Sequence, residues 1–129
     1  MMPDTTHLVL VVDDDDLLRK SICGALEQAG FQVISAVDGE EGLAEALKSH
    51  PDVTVLDYQM PRLDGLGMLE KLRQDEWGAK ADVILATNVY DVNLMNAVMK
   101  LGVNEYIMKS STSLEEIAII VKSHVSPEA

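Results

Sequence analysis

The chain predicts an α/β domain built on an open, doubly wound parallel sheet of five strands, with helices on both faces. Three observations lead there. Five apolar runs of four to six residues alternate with five amphipathic stretches, which is the βα alternation of a parallel sheet covered on both sides. The amphipathic stretches carry helix start and stop signals. Polar groups capable of chemistry stand at the ends of four of the runs, where such a sheet gathers its ligands.

The strands read as Leu8 to Asp13, Phe31 to Ala36, Val53 to Asp57, Val83 to Thr87 and Glu105 to Met108. Asp16 is the expected N-cap of a first helix that buries Leu18, Ile22, Ala25, Leu26 and Ala29 and stops at Gly30. A second helix runs from about Gly39 to Ser49, with Pro51 enforcing its stop. The third starts near Gly65 and carries Met68, Leu69 and Leu72; the fourth starts after Asp91 and ends at Gly102. Thr112-Ser113-Leu114-Glu115 has a capping-box pattern and opens a fifth helix that buries Leu114, Ile117, Val121 and Val125.

At 129 residues the chain is expected to form one domain, and a domain of this size buries about two-thirds of its unfolded surface without disulfides or metal staples. The expected division is a disordered N-terminus over 1–7, the domain over 8–125, and a tail or linker stump over 126–129. Twenty-two acidic residues against ten basic ones give a net charge of -12, which opposes direct binding to nucleic acid or to an anionic membrane. The single cysteine, Cys23, cannot form an internal disulfide, and no Cys or His spacing suits a metal. No apolar run is long enough to span a membrane, and Met1 to His7 lack the basic and apolar regions of a signal peptide. A soluble cytoplasmic protein is the expectation.

The chemistry sits at the strand ends. Asp13-Asp14-Asp15-Asp16 follows the first strand, Asp57 ends the third and opens Asp57-Tyr58-Gln59-Met60-Pro61-Arg62-Leu63-Asp64-Gly65, Thr87 ends the fourth, and Lys109 follows the fifth. In a parallel sheet these ends share one edge. With its acidic pair, acceptor aspartate, threonine and lysine in this order, the chain resembles the receiver domain of two-component response regulators from about Leu8 to Val125. The resemblance implies the flavodoxin-like strand order 2-1-3-4-5.

Three carboxylates at one edge need a counter-charge, since like charges about 4 Å apart repel by roughly 4 kcal/mol at an effective dielectric of 20. A hard divalent ion, Mg2+ or Mn2+, suits oxygen ligands. The resemblance implies that Asp14, Asp57 and the backbone carbonyl of Gln59 hold it directly, with Asp13 acting mainly through water. It also implies that Asp57 is the phosphoacceptor, that Lys109 and the Thr87 hydroxyl meet phosphoryl oxygens, and that Thr87 with Tyr106 forms a switch. The readout would be the face of the fourth helix, fifth strand and fifth helix. The implied donor is a histidine kinase or histidine phosphotransfer protein. Implied receivers of the signal are an output domain or partner protein, or a second copy forming a homodimer through that face. The protein would assist its own phosphorylation and dephosphorylation without being an enzyme in the turnover sense.

Other positions read as structural. Asp15 and Asp16 suit a solvated helix start, Asp64-Gly65 a turn, Met60-Pro61 a rigid loop, and Cys23 a packing role. His7, His50 and His124 are expected to be exposed and without acidic partners. The fourth helix is apolar nearly all round, through Val92, Leu94, Met95, Ala97, Val98, Met99 and Leu101, so some of these must face solvent.

The family pattern breaks at several places. Ser110 stands where a cis proline usually follows the lysine, and a cis bond to a non-proline residue costs about 2.5 to 4 kcal/mol, so a trans peptide is expected. Asn88 replaces a small residue after Thr87, where its amide would narrow the pocket or bond a phosphoryl oxygen. Gln59 and Val89 occupy positions that tune hydrolysis in the family. Ser110 and Asn88 favour one alternative, an unphosphorylated pseudo-receiver serving as a protein-binding scaffold. The other, an aspartyl-phosphate phosphatase of the haloacid dehalogenase type, would use Asp13-x-Asp15, but Glu115-Glu116 falls in a helical turn and a cap domain has no room.

Overall fold

The computed structural model describes residues 6–125; the expected tail over 126–129, and all but two residues of the expected N-terminal segment, lie outside them. The chain runs β1 (Leu8–Val12), α1 (Asp16–Gln28), β2 (Gln32–Ala36), α2 (Gly39–Ser49), β3 (Val53–Leu56), α3 (Gly65–Arg73), β4 (Val83–Thr87), α4 (Val92–Lys100), β5 (Tyr106–Met108) and α5 (Leu114–Val125). Short 3-10 turns cover Gly78–Lys80 and Lys109–Ser111. All strand pairs are parallel, in the order β2-β1-β3-β4-β5. The expected fold is the one found.

Alternation along the strands divides the core. Val9, Val11, Val55, Ile84 and Ile107 pack against Ile22 and Leu26 of α1 and Ile117 and Val121 of α5. Leu10, Val12, Leu56 and Leu85 pack on the other face against Met68, Leu69 and Leu72 of α3 and Leu94 and Val98 of α4. Among the described residues no helix is long and apolar enough to cross a membrane.

The expected stops at Gly30 and Gly102 are Schellman ends. Phe31 N–H donates to Leu26 and Gly30 N–H to Glu27; Val103 and Gly102 do the same to Val98 and Met99. Both glycines hold positive φ, at 100° and 86°, as this motif requires. Phe31 is thereby drawn into the turn, so β2 begins one residue later than expected.

Other boundaries differ from expectation. β1 and β3 stop before Asp13 and Asp57, and β5 begins after Glu105, because these acids lie at the sheet margin. The N-cap of α1 is Asp15, whose carboxylate accepts from Leu18 N–H, while Asp16 is the first helical residue. The capping box of α5 is Ser113 with Glu116, each side chain accepting the other's backbone N–H. Thr112 instead belongs to the extended link that follows the 3-10 turn. Leu114, expected in the core, is 37 % exposed, since it is the first helical residue and lies a turn above buried Ile117.

Candidate functional site

The strand ends deliver their side chains to one cleft of about 270 Å3, lined by Asp13, Asp14, Asp15, Asp57, Gln59, Thr87, Asn88 and Lys109. A larger groove of about 720 Å3 between α1 and α5 contains none of the strand-end aspartates, Thr87 or Lys109. Asp13, Asp57 and Thr87 are buried and Asp14 is exposed. Backbone bonds fix the acids: Asp57 N–H donates to the Val12 carbonyl and Asp13 N–H to that of Ala36. Each sheet-edge acid is therefore held by its neighbouring strand. Gly65 packs so closely on the Asp57 carbonyl that a Cβ has no room.

Lys109 bridges the acids. Its Nζ donates to Asp13 Oδ2 at 2.8 Å and Asp57 Oδ2 at 3.1 Å, with all three side chains 8 % exposed or less. The remaining oxygens are also engaged, Asp57 Oδ1 by Tyr58 N–H at 2.7 Å and Asp13 Oδ1 by Asp15 N–H at 3.0 Å. Burial pushes the Asp57 carboxyl above its ordinary range, opposed by Lys109 and reinforced by Asp13. Burial alone would depress the Lys109 ammonium, but the two carboxylates outweigh it and its pKa is raised. Lys109 thus supplies part of the counter-charge that the sequence assigned to a metal alone.

The acids also fit a divalent cation. One carboxylate oxygen from each of Asp13, Asp14 and Asp57 lies within 4.8 Å of the others, and an all-oxygen donor set suits a hard ion.

The segment after β4 is tied at three successive residues. Thr87 Oγ1 accepts from Val89 N–H at 3.2 Å, which leaves the hydroxyl hydrogen free to donate. Asn88 Oδ1 accepts from Ser110 N–H at 2.7 Å. Tyr106, half-buried, donates its hydroxyl to the Val89 carbonyl. The Lys109–Ser110 peptide is trans. In α4, Leu94 and Val98 are buried, whereas Val92 and Met99 are 59 % and 60 % exposed.

Arg19 also supports the acidic loop, although no motif in the sequence singles it out. It is buried, with Nη1 donating to the Asp13 carbonyl at 2.9 Å and Nη2 to Asp16 Oδ1 at 2.7 Å. A charged residue on the stripe of Ile22 and Leu26 was the available signal. The histidine expectation needs correction. His124 is only 12 % exposed, with Nδ1 2.9 Å from Asp82 and Nε2 3.1 Å from Glu105. Folding brings these acids from the starts of β4 and β5 to the end of α5. His7 lies 3.6 Å from Asp52, and exposed His50 stacks on Trp77.

Residues 9–122 match the family model of the response regulator receiver domain. The chain is 38 % identical over 101 residues to a probable transcriptional regulator ycf27 of Porphyridium aerugineum, covering 78 % of this chain and 41 % of the relative. It is 36 % identical over 114 residues to the transcriptional regulatory protein PrrA of Mycobacterium tuberculosis, covering 88 % of this chain and 48 % of that protein. The chain thus spans less than half the length of these relatives. The receiver domain of Francisella response regulator 1452 superposes with a TM-score of 0.82 at 30 % identity, covering 92 % of this chain and 96 % of that one. The chemotaxis response regulator CheY4 of Vibrio cholerae gives 0.85 at 25 % identity, covering 94 % and 100 %.

Proposed function

This chain belongs to the response regulator receiver domain family, and from that membership we propose a phosphorylation-dependent switch in which Asp57 accepts a phosphoryl group from a histidine kinase or histidine phosphotransfer protein. The observation that carries the reading is the buried bridge of Lys109 between Asp13 and Asp57, beside the Thr87 hydroxyl. It supports reading Asp57 as the nucleophile, Lys109 as the cation and Thr87 as the donor, since all three line one cleft.

Phosphoryl transfer asks the protein mainly for position and charge. An Asp57 carboxylate oxygen attacks phosphorus in line. Its O–P bond forms as the N–P bond of the phosphohistidine breaks, and the departing imidazole takes up a proton. The product is an acyl phosphate. Lys109 and Thr87 then donate to phosphoryl oxygens. Asp14, Asp57 and the Gln59 carbonyl would hold Mg2+ or Mn2+, with Asp13 acting through water; the ion supplies neutralising charge on the phosphoryl oxygens.

The added group carries roughly -1.5 to -2 charges. Drawing the Thr87 hydroxyl toward it perturbs the bond from Val89 N–H, and the Val89 carbonyl holds Tyr106. Phosphorylation is thereby linked to α4, β5 and α5. That face is the proposed readout to an output domain, a partner protein or a second copy. The protein is a cytoplasmic phosphoacceptor rather than an enzyme that turns over an external substrate.

Intact mass after incubation with acetyl phosphate, or with a phosphorylated kinase, and Mg2+ tests the reading. Gain of one phosphoryl group, absent in Asp57→Asn and in EDTA, is expected. No gain in the wild type, or an unchanged gain in Asp57→Asn, overturns it.

A further inference from the structure

We infer that Asn88 is a positioning residue for phosphoryl transfer, fixing the spacing of Thr87 and Lys109 through its hydrogen bond to the Ser110 amide. The inference rests on the phosphoacceptor reading of Asp57 and names how that site is kept in order.

β4 and β5 pair as Leu85 with Tyr106, Ala86 with Ile107 and Thr87 with Met108, and the ladder then stops. The two groups that would meet phosphoryl oxygens lie at this margin. Thr87 is the last residue of β4, and Lys109 is the first residue after β5. Asn88 Oδ1 accepts from Ser110 N–H at 2.7 Å across 22 residues of sequence. A side-chain oxygen thus extends the pairing past the strand ends. The residues it joins are the immediate successors of Thr87 and Lys109.

Neither partner is held by burial, since Asn88 and Ser110 are both exposed. The bond is therefore the local restraint on the rim, supplemented one residue further along by the Tyr106 hydroxyl on the Val89 carbonyl. Asn88 also lines the acidic cleft beside Thr87 and Lys109. A neutral amide can accept the Ser110 N–H without adding a further negative charge to the aspartates that already line the cleft. An aspartate could make the same bond but would repel an anionic donor.

These two properties can be separated. In Asn88→Ala the acceptor is lost, whereas in Asn88→Asp it is retained with an added charge. The rate of Asp57 phosphorylation by acetyl phosphate and Mg2+ is followed by intact mass; the donor's phosphoryl P–O bond breaks, acetate leaves, and the Asp57 O–P bond forms. Asn88→Ala is expected to be slower by about fivefold, the scale of one net hydrogen bond. The deficit should persist at all salt concentrations. Asn88→Asp should be slow in dilute salt and return to the wild-type rate measured at the same ionic strength near 1 M, where screening acts over about 3 Å.

Amide hydrogen exchange without any donor supplies an independent readout. Ser110 should be protected in the wild type and in Asn88→Asp, and unprotected in Asn88→Ala. Equal rates for wild type and Asn88→Ala, or equal Ser110 protection in both, overturn the positioning role while leaving Asp57 as acceptor. A wild-type chain that takes up no phosphoryl group overturns both.

Discussion

Lys109 and Asp57, 52 positions apart in sequence, form a buried pair with Nζ 3.1 Å from Oδ2. The same ammonium is closer still to Asp13, at 2.8 Å. Lysine therefore has two tasks. It balances the acid cluster, and in the proposed switch it would also meet a phosphoryl oxygen.

Lys109→Met should separate those tasks. Breaking a buried ion pair from one side typically costs about 3 to 5 kcal/mol, because the remaining charge loses its partner. Urea unfolding in EDTA should show a loss in that range, since the carboxylates left without a cation, Asp13 and Asp57, are both buried. Mg2+ should recover more stability in the variant than in the wild type, because it replaces the missing cation. Phosphorylation should no longer strengthen binding to the output partner. Equal recovery in both proteins, or undiminished phospho-dependent binding, would count against this account.

Arg19 should prove to be a support of the acidic loop. Arg19→Ala removes the contact with exposed Asp16 and the buried donor to the Asp13 carbonyl, and a buried hydrogen bond from a charged group such as the second contributes about 1.5 to 3 kcal/mol. A stability loss in that range is expected, together with weaker divalent binding in calorimetry. Arg19→Lys should restore little, since an ammonium cannot reproduce the guanidinium fork. Unchanged metal affinity in Arg19→Ala would confine the residue to a purely structural role.

His124 gives the fold a pH-dependent component. Burial lowers the imidazole pKa, but Asp82 and Glu105 outweigh it and the net shift is upward from 6.5. A raised folded pKa means that the charged histidine stabilises the fold fully below pH 6.5 and progressively less as pH rises through the folded value. His124→Gln should therefore cost stability chiefly on the acid side. The loss should be on the order of 1 kcal/mol, the upper scale for partly exposed ion pairs. Denaturation at pH 6 and pH 9 measures it; a variant deficit that is larger at pH 9 would contradict the sign.

Val92 and Met99 are the exposed apolar positions of α4, on the helix that follows the Thr87 segment. Single substitutions to serine should change stability by no more than about 0.5 kcal/mol, as is usual at exposed sites. They should weaken phosphorylation-dependent association with a second copy or an output partner. Sedimentation with and without phosphorylation reads the first case. Association unchanged by both substitutions would remove α4 from the interface.

The order of amino acids alone carries the parallel α/β architecture, because apolar runs, caps and glycine stops are local signals that remain legible without coordinates. Gly30 and Gly102 identified two helix ends for that reason. It also determined the site's residue types, since Asp13, Asp14, Asp57, Thr87 and Lys109 all stand at strand ends, and a parallel sheet carries those ends to one edge. Which side chains pair is set by how the elements pack against one another. The bonds of Asn88 with Ser110, Arg19 with the Asp13 carbonyl, and His124 with Asp82 and Glu105 depend on approach distances between elements. Periodicity specifies which face a residue occupies, whereas a hydrogen bond requires its partner to arrive within about 3 Å. His124 therefore lacks a partner among its sequence neighbours, although folding surrounds it with two carboxylates from the segments that lead into β4 and β5.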